Sequence, residues 1–170
     1  AAGATTSCTY TVTQTDAGSY PNTASVTVQD NEGNPASDSD SETVTVTDVA
    51  PTITVEKTAS PTSVPETGGL VTFTFVVYNN SVEPITITSL EDSDFGPLVG
   101  NASCEVGTVL GVGESCSFTH TTMIEGDFSG SDHVNTFTAH TEDNEENDAT
   151  DDDDATVDFT NVVPSITVTK

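Results

Sequence analysis

The residues richest in chemistry are acids, and they come in duplicate. One run reads DNEGNPASDSDSE over residues 30–42 and a second reads DNEENDATDDDDA over residues 143–155. Four carboxylates keep their places in both runs: Asp30 and Asp143, Glu32 and Glu145, Asp38 and Asp151, Asp40 and Asp153. Asn31 and Asn144, and Asn34 and Asn147, recur beside them. Hard divalent cations take about six to eight oxygen ligands from Asp, Glu, Asn and carbonyl groups. A D-x-E followed by a D-x-D can close on such an ion from both arms of a loop. Charges this dense otherwise repel one another, so calcium would relieve the strain and fix the loop. The spacing is not that of an EF-hand, because the Gly and the terminal Glu fall at the wrong offsets. The alternative is a solvated acidic face of the kind halophile proteins carry.

A second group of residues surrounds the chain's two cations, Lys57 and Lys170. Strand alternation places Lys57 on the same face as Ile53 and Val55. Asn135 shares a face with Phe137 and Ala139, and Glu91 shares parity with Ile85 and Ile87. A lysine, an amide and a carboxyl would thus converge in one core. Burying a lysine is costly unless it is paired, and burial lowers its pKa. The alternative is a lysine at a strand end that reaches water or pairs with an acid.

These residues are held by a repeat. Residues 22–57 and 135–170 align without a gap, so Lys57 recurs as Lys170, 113 residues on. Upstream, SCTYT (7–11) matches SCSFT (115–119). A repeat of about 110 residues suits an immunoglobulin-like sandwich. Its phase divides the chain into the C-terminal half of one repeat (1–48), one complete repeat (52–161) and the first strand of the next (164–170). Pro51 and Pro164 mark the junctions. A window from a longer chain explains this phase, and a subunit completed by a neighbour's strand is the rival. In the complete repeat, period-2 alternation and turn residues predict seven strands: 52–57, 70–78, 85–89, 103–110, 115–122, 133–142 and 155–160. The expected fold is all-β, in tandem immunoglobulin-like β-sandwich domains. The acidic loop 143–154 would then face the domain junction near Asp48, where calcium could bridge neighbouring repeats.

Composition excludes several roles. The formal net charge is −26, from 28 acids against 2 lysines and no arginine. Such a surface repels nucleic acid and anionic membrane, which leaves cations and further repeats, in the same or identical chains, as partners. No apolar run approaches the length of a membrane helix. His120, His133 and His140 lack metal-ligand spacing, and no nucleophile motif or phosphate loop is present. An enzyme with a small-molecule substrate is therefore not expected.

Cysteine usage fits an oxidising, extracellular compartment. Cys104 and Cys116 stand symmetrically about the turn near Leu110, where a hairpin would join them in a disulfide. Cys8 is the repeat equivalent of Cys116, and its own partner would precede Ala1. The alternative is three buried free thiols. Asn79 (NNS) and Asn101 (NAS) are sequons for glycosylation.

The strings TVEKTASPT, FTFVVYNNS, GESCSFTHT and DATVDFTNV resemble the repeat domains of large bacterial and archaeal surface proteins. That resemblance spans essentially the whole chain. It implies immunoglobulin-like modules of a cell-surface stalk or fibre, or the repeat region of an adhesin that binds a surface or a sugar. The convergence of Lys57, Asn135 and Glu91 likewise resembles the self-forming isopeptide crosslink of pilin and adhesin domains.

Overall fold

A computed structural model describes residues 3–170. The described chain is all-β and divides into two compact units, Ala1–Val49 and Ala50–Lys170.

The first unit contains one long antiparallel hairpin, β1 (Gly18–Gln29) and β2 (Pro35–Val46). Its residues are almost all solvent-exposed.

The second unit has two sheets. One has the order β3 (Ile53–Ser60), β5 (Gly69–Asn79), β9 (Ser115–Ile124), antiparallel throughout. The other runs β4 (Ser63–Pro65), β11 (Asp148–Thr160), β10 (His133–Glu142), β6 (Ile85–Asp92), β7 (Gly96–Pro97), with β8 (Val109–Leu110) also on β6. Alternation decides which face turns inward. On β5, Val71, Phe73, Phe75 and Val77 are wholly buried while the residues between them are half-exposed. Ile85, Ile87, Leu90, Phe137, Ala139, Ala155 and Val157 answer from the second sheet. The rings of Phe75 and Phe137 meet across the core at 4.9 Å, so the sheets lie face to face as in a β-sandwich.

Three sequence expectations change here. The segment 103–110 is mostly turn, and only Val109 and Leu110 pair as a strand. Gly107 sits at φ +93°, a conformation that breaks a strand in favour of a bend. The last strand starts at Asp148, not Ala155, so most of the acidic run is strand. The third change is in β6. His140 faces Ser89 but Thr141 faces Ile87, which leaves Thr88 unpaired in a bulge. A bulge reverses the alternation beyond it. Leu90 and Asp92 consequently turn inward and Glu91 turns out to solvent.

Residues 161–170 form no regular secondary structure, and Ile166 and Val168 are exposed.

Candidate functional site

The turn between β10 and β11 is built by the recurrent acids themselves. Asp143 Oδ1 accepts the N–H groups of Glu145 and Asn147, each at 2.9 Å, and Oδ2 accepts Asn147 Nδ2 at 2.9 Å. In the first unit Asp30 does the same for Glu32 and Asn34, at 2.8–3.0 Å. The Asn side chains that follow reach the Glu carboxylates, Asn31 to Glu32 at 2.6 Å and Asn144 to Glu145 at 2.8 Å. A D-N-E-x-N string is thus a turn that caps itself, the Asp side chain satisfying backbone donors a strand turn would leave open. Burial works to raise the Asp143 pKa, but the hydrogen bonds from Asn147 and Glu145 outweigh it and hold the carboxyl below its ordinary value.

The turn requires one left-handed residue. Gly33 supplies it at φ +88°, whereas its counterpart Glu146 adopts φ +68°. A side chain there costs about 1–2 kcal/mol. Glu146→Gly should therefore stabilise the second unit by about 1 kcal/mol, after the entropy glycine adds to the unfolded chain. Urea unfolding of the two chains measures it, and an unchanged or lower midpoint would contradict this account of the turn.

Asp151 and Asp153 do not join Asp143 in a loop. They lie on β11, on the same face as Ala149, Ala155 and Val157. Asp151 Oδ2 accepts the N–H of Val55 at 2.9 Å, and Asp153 Oδ2 accepts the N–H of Lys57 at 2.7 Å. Strand β3 is an edge strand, and alternate N–H groups of an edge point away from its partner. The two carboxylates take those groups and tie one sheet to the other. Of the expected metal ligands, Asp151 and Asp153 thus each hold a backbone N–H of β3 with one oxygen and stand outside the carboxylate cluster at Asp143. Asp38 and Asp40 hold the matching places on β2 and are exposed there, each accepting the N–H of the next residue.

Two of the anticipated ligands do come together, with one the sequence did not single out. Glu83, Asp143 and Glu145 each bring a carboxylate oxygen to within 4.8 Å of the others. Glu83 lies in the turn between β5 and β6, where no periodic signal marks it. Asp30, Glu32 and Asp48 belong to the first unit.

The lysine site forms, with a different acid. Lys57 Nζ is wholly buried and stands 2.6 Å from Asp92 Oδ2 and 2.7 Å from the backbone oxygen of Asn135. Asn135 Nδ2 donates to both Asp92 oxygens, at 2.9 and 3.1 Å. Backbone N–H groups of Asp94 and Phe95 complete the Asp92 shell at 3.0 and 3.2 Å. The rings of Phe73, Phe75 and Phe95 surround the ammonium at 5.3, 5.6 and 5.9 Å. Burial lowers the Lys57 pKa, against the hydrogen bond and charge of Asp92. Burial works to raise that of Asp92, but the hydrogen bond from Lys57 and those from Asp94, Asn135 and Phe95 bring it below the ordinary value. Glu91, expected as the acid, is exposed and accepts from Ser89 Oγ at 3.0 Å. The off-phase Leu90 was the signal of the bulge that exchanges the two.

Cys104 and Cys116 form the expected disulfide. Cys104 stands in a turn closed by hydrogen bonds to Asn101, while Cys116 lies on β9, so the bond ties a loop to a strand and does not cross a hairpin. Cys8 is free and exposed. Asn79 is corrected as a sugar acceptor. It is buried, with Nδ2 within 2.8–3.1 Å of the carbonyls of Glu83, Leu110 and Gly111 and Oδ1 accepting the Ser81 N–H. A glycan on that nitrogen would displace the bonds that close two turns. Asn101 is exposed, and its Nδ2 donates to the Ser117 carbonyl at 3.0 Å.

Each histidine has its own neighbour: the His120 ring lies tilted against Phe95 at 4.7 Å, His133 lies 3.6 Å from Asp94 and His140 bonds Thr150. Among the described residues, no helix is long and apolar enough to cross a membrane. Compared with known protein families and with curated proteins, the chain gives no match.

Proposed function

We propose that the chain is a structural repeat of an extracellular surface fibre or stalk, in which immunoglobulin-like domains follow one another in tandem without catalytic activity. One observation carries this reading. The hairpins β1–β2 and β10–β11 share their register to the residue, Asn22 opposite Glu42 as Asn135 is opposite Ala155, and they share the Asp-capped turn. A unit that repeats its hydrogen bonds as well as its sequence is a building block, and arrays of such blocks serve as spacers and scaffolds. The disulfide suits an oxidising exterior, and the net charge of −26 keeps chains of one kind apart in solution.

Calcium is the cation this reading adds. Glu83, Asp143 and Glu145 present hard oxygens, the donor set calcium selects. Asp143 would offer Oδ2, which holds one side-chain donor, Asn147 Nδ2, against the two backbone donors on Oδ1. Such a cation would pin the β5–β6 turn to the β10–β11 turn at one pole of the second unit. The expected result is a higher melting temperature of the full chain in calcium than in chelator. At calcium 100-fold above its dissociation constant the gain would be about 2.7 kcal/mol, and Glu83→Gln should reduce it. An identical melt in calcium and chelator would remove calcium from the proposal. Antibody labelling of intact source cells tests the location, and signal only after permeabilisation would overturn it.

A further inference from the structure

The buried Lys57, Asp92 and Asn135 form more than an ion pair. We propose that Lys57 and Asn135 join covalently, as an amide between Nζ and Cγ formed by the folded chain itself, with Asp92 as the acid and base.

The site has the parts such a step needs. The nucleophile is held against its target: Nζ bonds the backbone oxygen of Asn135, and Nζ and Asn135 Nδ2 share one acceptor, Asp92 Oδ2. This fixed proximity replaces a bimolecular encounter with an intramolecular one. The surroundings are dry, since Lys57 and Asp92 side chains are wholly inaccessible and three phenylalanine rings enclose the amine. Water exclusion favours the neutral amine over the ammonium, and only the neutral amine attacks. The 2.6 Å bond from Nζ to Asp92 Oδ2 is the path by which the proton leaves.

An unsatisfied atom marks the electrophile. Asn135 Oδ1 is buried and has no hydrogen-bond partner, which is costly while Asp92 is a carboxylate that only accepts. Once Asp92 carries the lysine's proton it becomes a donor. Turning the Asn135 amide over then places its carbonyl oxygen where Nδ2 now stands, 2.9–3.1 Å from the Asp92 oxygens. The acid would polarise the carbonyl that the amine attacks.

The step balances without a co-reactant. The ammonium first gives one proton to Asp92. The neutral Nζ adds to Cγ, and the Nζ–Cγ bond forms. A second amine proton passes through Asp92 to Nδ2, the Cγ–Nδ2 bond breaks, and ammonia leaves. The amine and the primary amide become one secondary amide plus ammonia, and no oxidation occurs. The bond would join β3 of one sheet to β10 of the other. Lys170 and Asn22 hold the same repeat positions, so a longer array would carry one crosslink per repeat.

The test uses the full chain, reduced and denatured. Its mass should fall below the sequence mass by that of one ammonia. Lys57 and Lys170 are the only cationic side chains in the sequence, so trypsin has one internal site, after Lys57. A crosslinked Lys57 is no substrate, and the denatured chain should stay whole. Asn135→Ala and Asp92→Asn should each restore the sequence mass and yield two fragments. An unmodified chain with the full sequence mass and clean cleavage after Lys57 overturns the proposal, whatever the variants do. Loss of ammonia that persists in Asn135→Ala overturns it too, because the amide then lies elsewhere.

Discussion

Replacing Asp151 and Asp153 together by alanine should lower the stability of the second unit by about 4 kcal/mol. Each carboxylate accepts a backbone N–H of the edge strand β3, from Val55 and Lys57, residues that are themselves buried. A hydrogen bond to a charged group contributes about 1.5–3 kcal/mol, and its loss leaves a buried N–H unsatisfied. The two sites are neighbours on one strand, so their effects need not add. The matched control is Asp152→Ala with Asp154→Ala. These two acids alternate with the first pair, face solvent and remove the same charge. Their loss should leave the urea midpoint nearly unchanged or raise it slightly, by easing repulsion. Circular dichroism in urea separates the cases, and equal midpoints for the two double variants would refute the edge-capping role. Uncapped N–H groups also make β3 a template for other strands, so the first variant should aggregate at concentrations where the control stays soluble.

Removing the disulfide is expected to cost about 3 kcal/mol on the loop-entropy account. Cys104 and Cys116 close a loop with a sequence separation of 12, and Cys104 is wholly buried. The loop it anchors has little regular structure, with a single bridge between Asn101 and Cys104 and the short β8 beyond it. Here the covalent bond replaces pairing that the segment does not make. Cys104→Ala with Cys116→Ala should shift the urea midpoint down, and a reductant should bring the unaltered chain to the same place. Cys8→Ala, at an exposed free thiol, should do nothing. A midpoint indifferent to both reductant and the double substitution would show that the loop holds by packing alone.

Strand content and the repeat were legible in the sequence because both are periodic. Val71, Phe73, Phe75 and Val77 alternate with polar residues, and that pattern has one low-energy solution on a sheet with a buried face. The pairing of Cys104 with Cys116 was legible from their symmetry about the turn near Leu110, although the bond joins a turn to a strand and not the two arms of a hairpin. The burial of Lys57 and Asn135 followed from the same parity. What alternation could not carry was any point where the chain drops out of phase. One unpaired residue, Thr88, exchanges Glu91 for Asp92 beside the lysine, and a turn at Asn101–Gly107 takes the place of a strand.

The acids show the division most plainly. Their recurrence at a fixed spacing is a property of the sequence, and so is the cost of crowding their charge. Which task each performs was decided by tertiary structure. A carboxylate is an acceptor for whatever donor comes within reach, and the donors arrive from parts of the chain far apart in sequence. Asp143 meets the N–H groups of its own turn, Asp151 and Asp153 meet an edge strand 96 residues away, and Asp92 meets an ammonium and an amide. Residue type and spacing set the supply of acceptors, and the packing of two sheets assigned them.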